Sequence, residues 1–259
     1  MHDFDGLAIV GLLVLTGFFT GILNMVAAGG SALVIPLLVA LGLPPVLANT
    51  TNHVPALVGF ASGAWKFHRL RVMPWRDGFR LAIPMTIGSL AGTYTASIVD
   101  DDVTQYVVVT SLVLTLALAL AKPERWSSTS VSSGADLASN PWMWPFSVAL
   151  GFWGGLVVVG AGGLLLALLV VILNRRISEA NALKSLSLGL SLLPAVVLLA
   201  WRQDIVWSWA VPLSIGSIAG SIVGARLTLH PNVGVWAFRI LLVVISGELV
   251  LEVWAMFRS

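Results

Sequence analysis

The chain has 259 residues, of which 58% are hydrophobic and only 10% charged, with a mean hydropathy of +0.95. A soluble domain carries about 25% charged residues, so there is too little polar surface here for a water-soluble globule. A net charge of +2 spread over short loops excludes a nucleic-acid face despite a pI near 9.4, and zero cysteine excludes disulfides and thiolate metal sites.

The N-terminus, Met1-His2-Asp3-Phe4-Asp5, is acidic where a signal peptide is basic, so the first apolar run is expected to stay in the membrane. Apolar runs and their breakers divide the chain into ten segments, roughly 5–25, 30–43, 45–65, 80–100, 103–121, 141–160, 163–173, 181–201, 205–227 and 234–256. Segments two and seven are shorter than the ~20 residues a spanning helix needs. They are expected to be half-helices or arms of re-entrant hairpins. Residues 122–140, Ser-rich and polar, form the one linker.

The two sides of that linker repeat each other. An offset of 134 carries Gly17 onto Gly151, Gly21 onto Gly155, Gly29 onto Gly163 and Ala48 onto Ala182. A second block, Pro84-Met-Thr-Ile-Gly88-Ser-Leu-Ala-Gly92, matches Pro212-Leu-Ser-Ile-Gly216-Ser-Ile-Ala-Gly220 at six of nine positions with an offset of 128. Charge placement gives the sidedness. With the loop 66–80 cytoplasmic, Lys66, Arg69, Arg71, Arg76, Arg80, Lys122, Arg125, Arg175, Arg176 and Arg226 all fall inside. Both termini are then external, and an odd number of segments per half inverts one half relative to the other. The reading is an all-α polytopic membrane protein of two inverted-topology repeats of about five segments each, residues 1–121 and 141–259, with a cytoplasmic linker. Ten tryptophans near predicted span ends, Trp126 among them, fit an interfacial belt.

The paired blocks GFFTGILNMVAAGGSALVIPLL and GFWGGLVVVGAGGLLLALL, together with the PxxIGSxAG motif in each half, resemble the TauE/SafE sulfite-exporter family over nearly the whole chain. The resemblance implies a multi-pass transporter of the bacterial inner membrane. Its substrates would be sulfite, organosulfonates or related sulfur-containing anions. The bilayer and a small anion are the expected partners, with a homodimer left open; no nucleic acid and no cofactor or metal is expected.

An anion carrier needs a site that attracts without trapping. Open N–H groups at a broken helix supply one, and glycine suits the break. Gly29, Gly30 and Ser31 open segment two; Gly160, Ala161, Gly162 and Gly163 open segment seven. Adjacent glycines break helices, whereas those spaced by four (Gly17/Gly21, Gly88/Gly92, Gly151/Gly155, Gly216/Gly220) are expected to let helices touch. Segment three adds Asn49, Thr50, Asn52 and His53, and segment eight presents Asn181, Lys184, Ser187 and Ser191 on one face. The offset lays Thr50 on Lys184 and His53 on Ser187, so Asn49, Thr50, His53 and Lys184 are expected to meet near the axis relating the halves. Lys184 reads equally as a ligand for the anion or as an anchor reaching the interface. His53 and Glu248 are candidates for proton coupling, and a hydrogen-bonded structural role for His53 stays open.

An intramembrane enzyme would want a deep constellation such as HExxH, and His2, His53, His68 and His230 are scattered; no Walker motif is present. Export driven by the membrane potential or by protons is the expected activity; the alternative is an anion uptake permease or a channel for another small organic anion, ahead of an intramembrane enzyme.

Overall fold

The computed structural model describes residues 2–96, 101–127, 142–156 and 160–256, all of it helices and turns. In chain order the helices are α1 (His2–Val26), α2 (Ser31–Ala40), α3 (Pro45–Arg69), α4 (Trp75–Ala96), α5 (Asp101–Ala121), the single turn α6 (Glu124–Ser127), α7 (Met143–Leu156), α8 (Ala161–Ala167), α9 (Ile177–Trp201), α10 (Trp207–Leu227) and α11 (Val233–Met256). A wider π turn, Leu168–Ile172, continues α8. Helices are what a bilayer permits, since each residue's backbone bonds stay within its own segment. Four of them, starting at Gly6, Ile177, Trp207 and Val233, are long and apolar enough to cross a membrane. The ten expected segments correspond to the ten longer helices. The linker differs from expectation at its start, where Glu124–Ser127 coils and Trp126 packs on Phe238 at 3% exposure, outside any interfacial belt. Residues 128–140 lie outside the described residues.

The short segments turn back. The N–H of Gly30 donates to Asn24 Oδ1 at 2.9 Å, and Thr20 Oγ1 donates to the Gly30 carbonyl at 3.3 Å. Further along, Leu13 shares a cluster with Val34 and Leu38. Helix α2 therefore runs antiparallel to α1, as the second arm of a hairpin whose tip is at residues 27–30. Gly154 and Ala161 approach similarly across the α7–α8 bend, where a Cβ on Gly154 would lie 3.5 Å from that of Ala161.

Glycines set the long-range packing, and they do so in reciprocal pairs. A Cβ on Gly17 would strike the Leu213 carbonyl and one on Gly151 the Met85 carbonyl; Gly21 faces Ser217, and Gly155 faces Ser89. From the other side, Gly216 meets Val14 and Gly88 meets Val148; Gly220 meets Phe18 and Gly92 meets Phe152. Each contact in one pair of helices becomes one in the other when both residues shift by the sequence offsets of 134 and 128. Helix α1 thus lies on α10, and α7 on α4, each pair parallel, so helices from before and after the linker interlock. Small residues let backbones approach this closely where lipid supplies no hydrophobic drive.

Helices α3 and α9 cross at the centre and run antiparallel. Val54 shares a cluster with Val196 and Leu199, Gly189 sits against Phe60 and Ala61, and Met25 bridges Gly63 to Ser185. At one end of the molecule Arg175 pairs with Asp77 at 2.8 Å, tying the start of α9 to the start of α4.

Replacing Gly88 or Gly216 by alanine should lower stability by about 1–3 kcal/mol, the usual cost of overpacking. Gly11→Ala, with open space around it, should be neutral or stabilising by about 0.5–1 kcal/mol. Melting of the purified protein in detergent reads the difference; equal shifts for all three variants would contradict this packing.

Candidate functional site

The two breaks meet at one cavity. It is lined by Asn24, Ala28, Gly29 and Ser31 from the first hairpin, and by Gly154 and Gly160 to Gly163 from the second. Ala56 and Phe60 of α3, Leu188, Ser191 and Leu192 of α9, and Leu241, Ile245 and Glu248 of α11 complete the wall. At the first break Ala28 and Gly29 take left-handed φ of 77° and 115°, and at the second Gly160 takes 79°. Glycine accepts this at no steric cost, while Ala28 carries strain of about 1–3 kcal/mol. Strained backbone kept beside a cavity is a common mark of a working site.

The last helix lies against both breaks. A side chain at Gly29 would overlap Val244, and one at Gly163 would press on Leu241 and Ile245. Leu241, Ile245 and Glu248 recur at four and three residues, which puts Glu248 on the cavity face of α11. The residue as a whole is 8% exposed.

Of the residues singled out in the sequence, Gly29, Ser31, Gly162, Gly163 and Glu248 line this cavity. Gly30 does not, because its N–H is already taken by Asn24. Asn52 stands one step back, donating to Ser31 Oγ at 3.0 Å. Asn49, Thr50 and His53 serve the far end of α3. The His53 ring is bonded to the Asn49 carbonyl at 2.9 Å, and Thr50 Oγ1 donates to the Asp204 carbonyl. Neighbouring Thr51 accepts from the Val206 N–H at 3.2 Å, so this polar run fastens α3 to the loop between α9 and α10.

Lys184 is neither at the interface nor near Thr50. It is fully buried, and its ammonium donates to Asn181 Oδ1 at 2.6 Å. Asn181 in turn donates to the Ile177 carbonyl at 3.0 Å and the Val26 carbonyl at 3.4 Å, touching the end of α1. Because α3 and α9 are antiparallel, Thr50 and Lys184 fall on opposite sides of the Phe60–Gly189 crossing. At 1.5 Å per residue they are about 22 Å apart along the bundle. The two positions that the sequence offset matches are kept apart, not brought together. Ser187 is fully buried with an unpartnered hydroxyl, outside the cavity lining.

Asn24, Gly154 and Ser191 are lining residues that the sequence reading left out of the site. Ser191 was visible as the fourth member of the α9 polar face. Asn24 carried a signal too, since an amide inside an apolar span just before a helix break is costly unless it has a partner there.

Backbone opened at membrane depth survives only where protein or a cavity takes it up, and paired broken helices meeting at depth are a recurring plan of multi-pass transporters. The comparisons agree. The chain is 26% identical to a probable membrane transporter protein of Haemophilus influenzae over 225 residues, covering 86% of this chain and 87% of that one. It is 25% identical to the probable membrane transporter protein YfcA of Escherichia coli K12 over 257 residues, covering 95% and 92%. With the probable membrane transporter protein YjnA of Bacillus subtilis it shares 24% over 242 residues, covering 83% and 89%. The family model for the sulfite exporter TauE/SafE matches residues 13–249, and the chain belongs to that family. No solved structure matches.

Lys184 and Asn181 make a test of the buried pair. Asn181→Leu strands the ammonium and should cost about 1–3 kcal/mol more stability than Lys184→Met, which removes the charge itself. Melting in detergent measures both; a Lys184→Met variant that melts lower than Asn181→Leu would contradict the pairing.

Proposed function

We propose that this protein is a secondary transporter that carries small sulfur-containing anions, such as sulfite or a short organosulfonate, through the cavity between its two helix breaks. The carrying observation is that Gly29 and Ser31 on one hairpin and Gly162 and Gly163 on the other line one cavity. Side chains there are small, so a tetrahedral or pyramidal oxyanion can reach backbone N–H groups and the hydroxyls of Ser31 and Ser191. The family supplies the anion class. The reciprocal contacts of α1 with α10 and α7 with α4 support two halves of inverted topology, 1–121 and 141–259, as the units of alternating access. A monovalent anion moving alone would be pushed outward by an inside-negative potential. At 100 mV the push is about 2.3 kcal/mol, enough for roughly a fiftyfold gradient.

Gly162 offers a test that separates folding from transport. A Cβ there would lie 3.4 Å from Ala28 and 3.5 Å from Leu188, ordinary contact, so Gly162→Ala should fold normally. Gly162→Val fills the cavity and should slow sulfite or methanesulfonate counterflow in liposomes about tenfold. A valine variant with unchanged counterflow would remove the cavity from the path; no counterflow in the wild type with either anion would overturn the substrate class.

A further inference from the structure

The two polar side chains that the first hairpin brings to the cavity are turned the same way. Asn24 lines the cavity, and its side-chain oxygen is drawn back to accept the Gly30 N–H at 2.9 Å. An amide held by its oxygen leaves its N–H donors for the open side. Ser31 lines the cavity too, and its Oγ accepts from Asn52 Nδ2 at 3.0 Å. A hydroxyl has a single proton to give. With the Asn52 N–H aimed at its oxygen, Ser31 turns that proton elsewhere, and no described residue accepts it. The cavity is the side left open to it. Asn52 is 1% exposed and outside the lining, so it acts on the cavity through Ser31.

This polarity belongs to the first hairpin alone. The offset of 134 carries Asn24 to Val158, Ser31 to Leu165 and Asn52 to Leu186, all aliphatic. Ser191, on α9, shows what an unguided hydroxyl does. It donates to the Leu188 carbonyl at 3.2 Å, three residues back, and must turn before it can serve an anion. Ser31, at the start of α2, would have the same escape to a backbone carbonyl if the Asn52 amide did not hold it.

We propose that Asn24 and Ser31 form the oxyanion half of the site, and that Asn52 is the positioning residue that keeps Ser31 a donor. The inference rests on the anion-carrier reading above and says which wall of the cavity the charged oxygens face. Sulfonate oxygens accept hydrogen bonds and give none, so a wall that offers protons suits them. The donors are a neutral amide and a hydroxyl, which hold an anion less firmly than an ammonium or guanidinium would. A carrier must release what it binds.

The experiment measures methanesulfonate counterflow by the full-length protein in liposomes, as a half-saturation concentration and a maximal rate. Ser31→Ala removes the donor and should raise half-saturation about tenfold. Asn52→Leu keeps the hydroxyl but frees its direction, and should raise half-saturation roughly threefold to tenfold with the maximal rate kept. In the double variant the Asn52 substitution should add nothing, because the group it positions is gone. Asn24→Asp still accepts the Gly30 N–H but turns lone pairs to the cavity, and should weaken methanesulfonate by at least about tenfold. Asn52→Ala replaces a leucine variant that fails to fold. Where a variant moves too little anion to titrate, the rise of its melting temperature with methanesulfonate in detergent reads the same affinity. An Asn52→Leu effect of equal size with and without the Ser31 hydroxyl would make Asn52 a mere tie between helices and overturn its positioning role. Unchanged half-saturation in Ser31→Ala or Asn24→Asp would overturn the oxyanion half. Absence of wild-type counterflow with methanesulfonate and with sulfite would overturn the carrier reading, and this inference with it.

Discussion

A lipid core offers no hydrogen bond to an open backbone, and everything at the centre of this protein answers to that fact. Two helices break at depth, and each unpaired group costs several kcal/mol if left to hydrocarbon. At the first break Asn24 and Thr20 bond the N–H and carbonyl of Gly30. Helix α11 packs closely over both breaks, so that a side chain at Gly29 would overlap Val244 and one at Gly163 would press on Leu241 and Ile245. One helix thus backs both breaks, and the space between them is the cavity. The site exists because the breaks must be sheltered together.

The sheltering requires that helices from different halves lie almost backbone to backbone. Glycines on α1 and α10, and again on α4 and α7, provide that approach. The two interlocked pairs are related by the sequence offsets, while the chemistry they enclose is not. Thr50 fastens α3 to a loop carbonyl, and its counterpart Lys184 is buried on Asn181 beside the end of α1. Positions matched by the sequence offsets carry different side chains, and antiparallel α3 and α9 hold them at opposite depths.

The sequence was most legible where one residue type has one physical use. Paired glycines four apart announced close helix contact, and adjacent glycines announced breaks; the structure places both so. The approximate positions of ten helices followed from apolar runs and the residues that break them. Side-chain destinations were harder to read. Lys184 on a polar face looked like a ligand or an anchor, and only the path of Asn181 to Val26 makes it an internal tie. Thr50 and Lys184 looked like partners because a repeat offset says which positions correspond without saying at which depth each lies. Asn24 escaped notice because its role depends on the chain folding back on itself six residues later. Trp126 looked interfacial by its place in the sequence, yet α6 coils and carries it onto Phe238.

The central claim is that the anion rests between the two breaks. Selenite, a heavier relative of sulfite, marks its own position by anomalous scattering in crystals of the protein. The account predicts a single strong peak enclosed by Gly29, Ser31, Gly163 and Ser191, within reach of α11. A peak beside Lys184 and Asn181 with the cavity empty would contradict it.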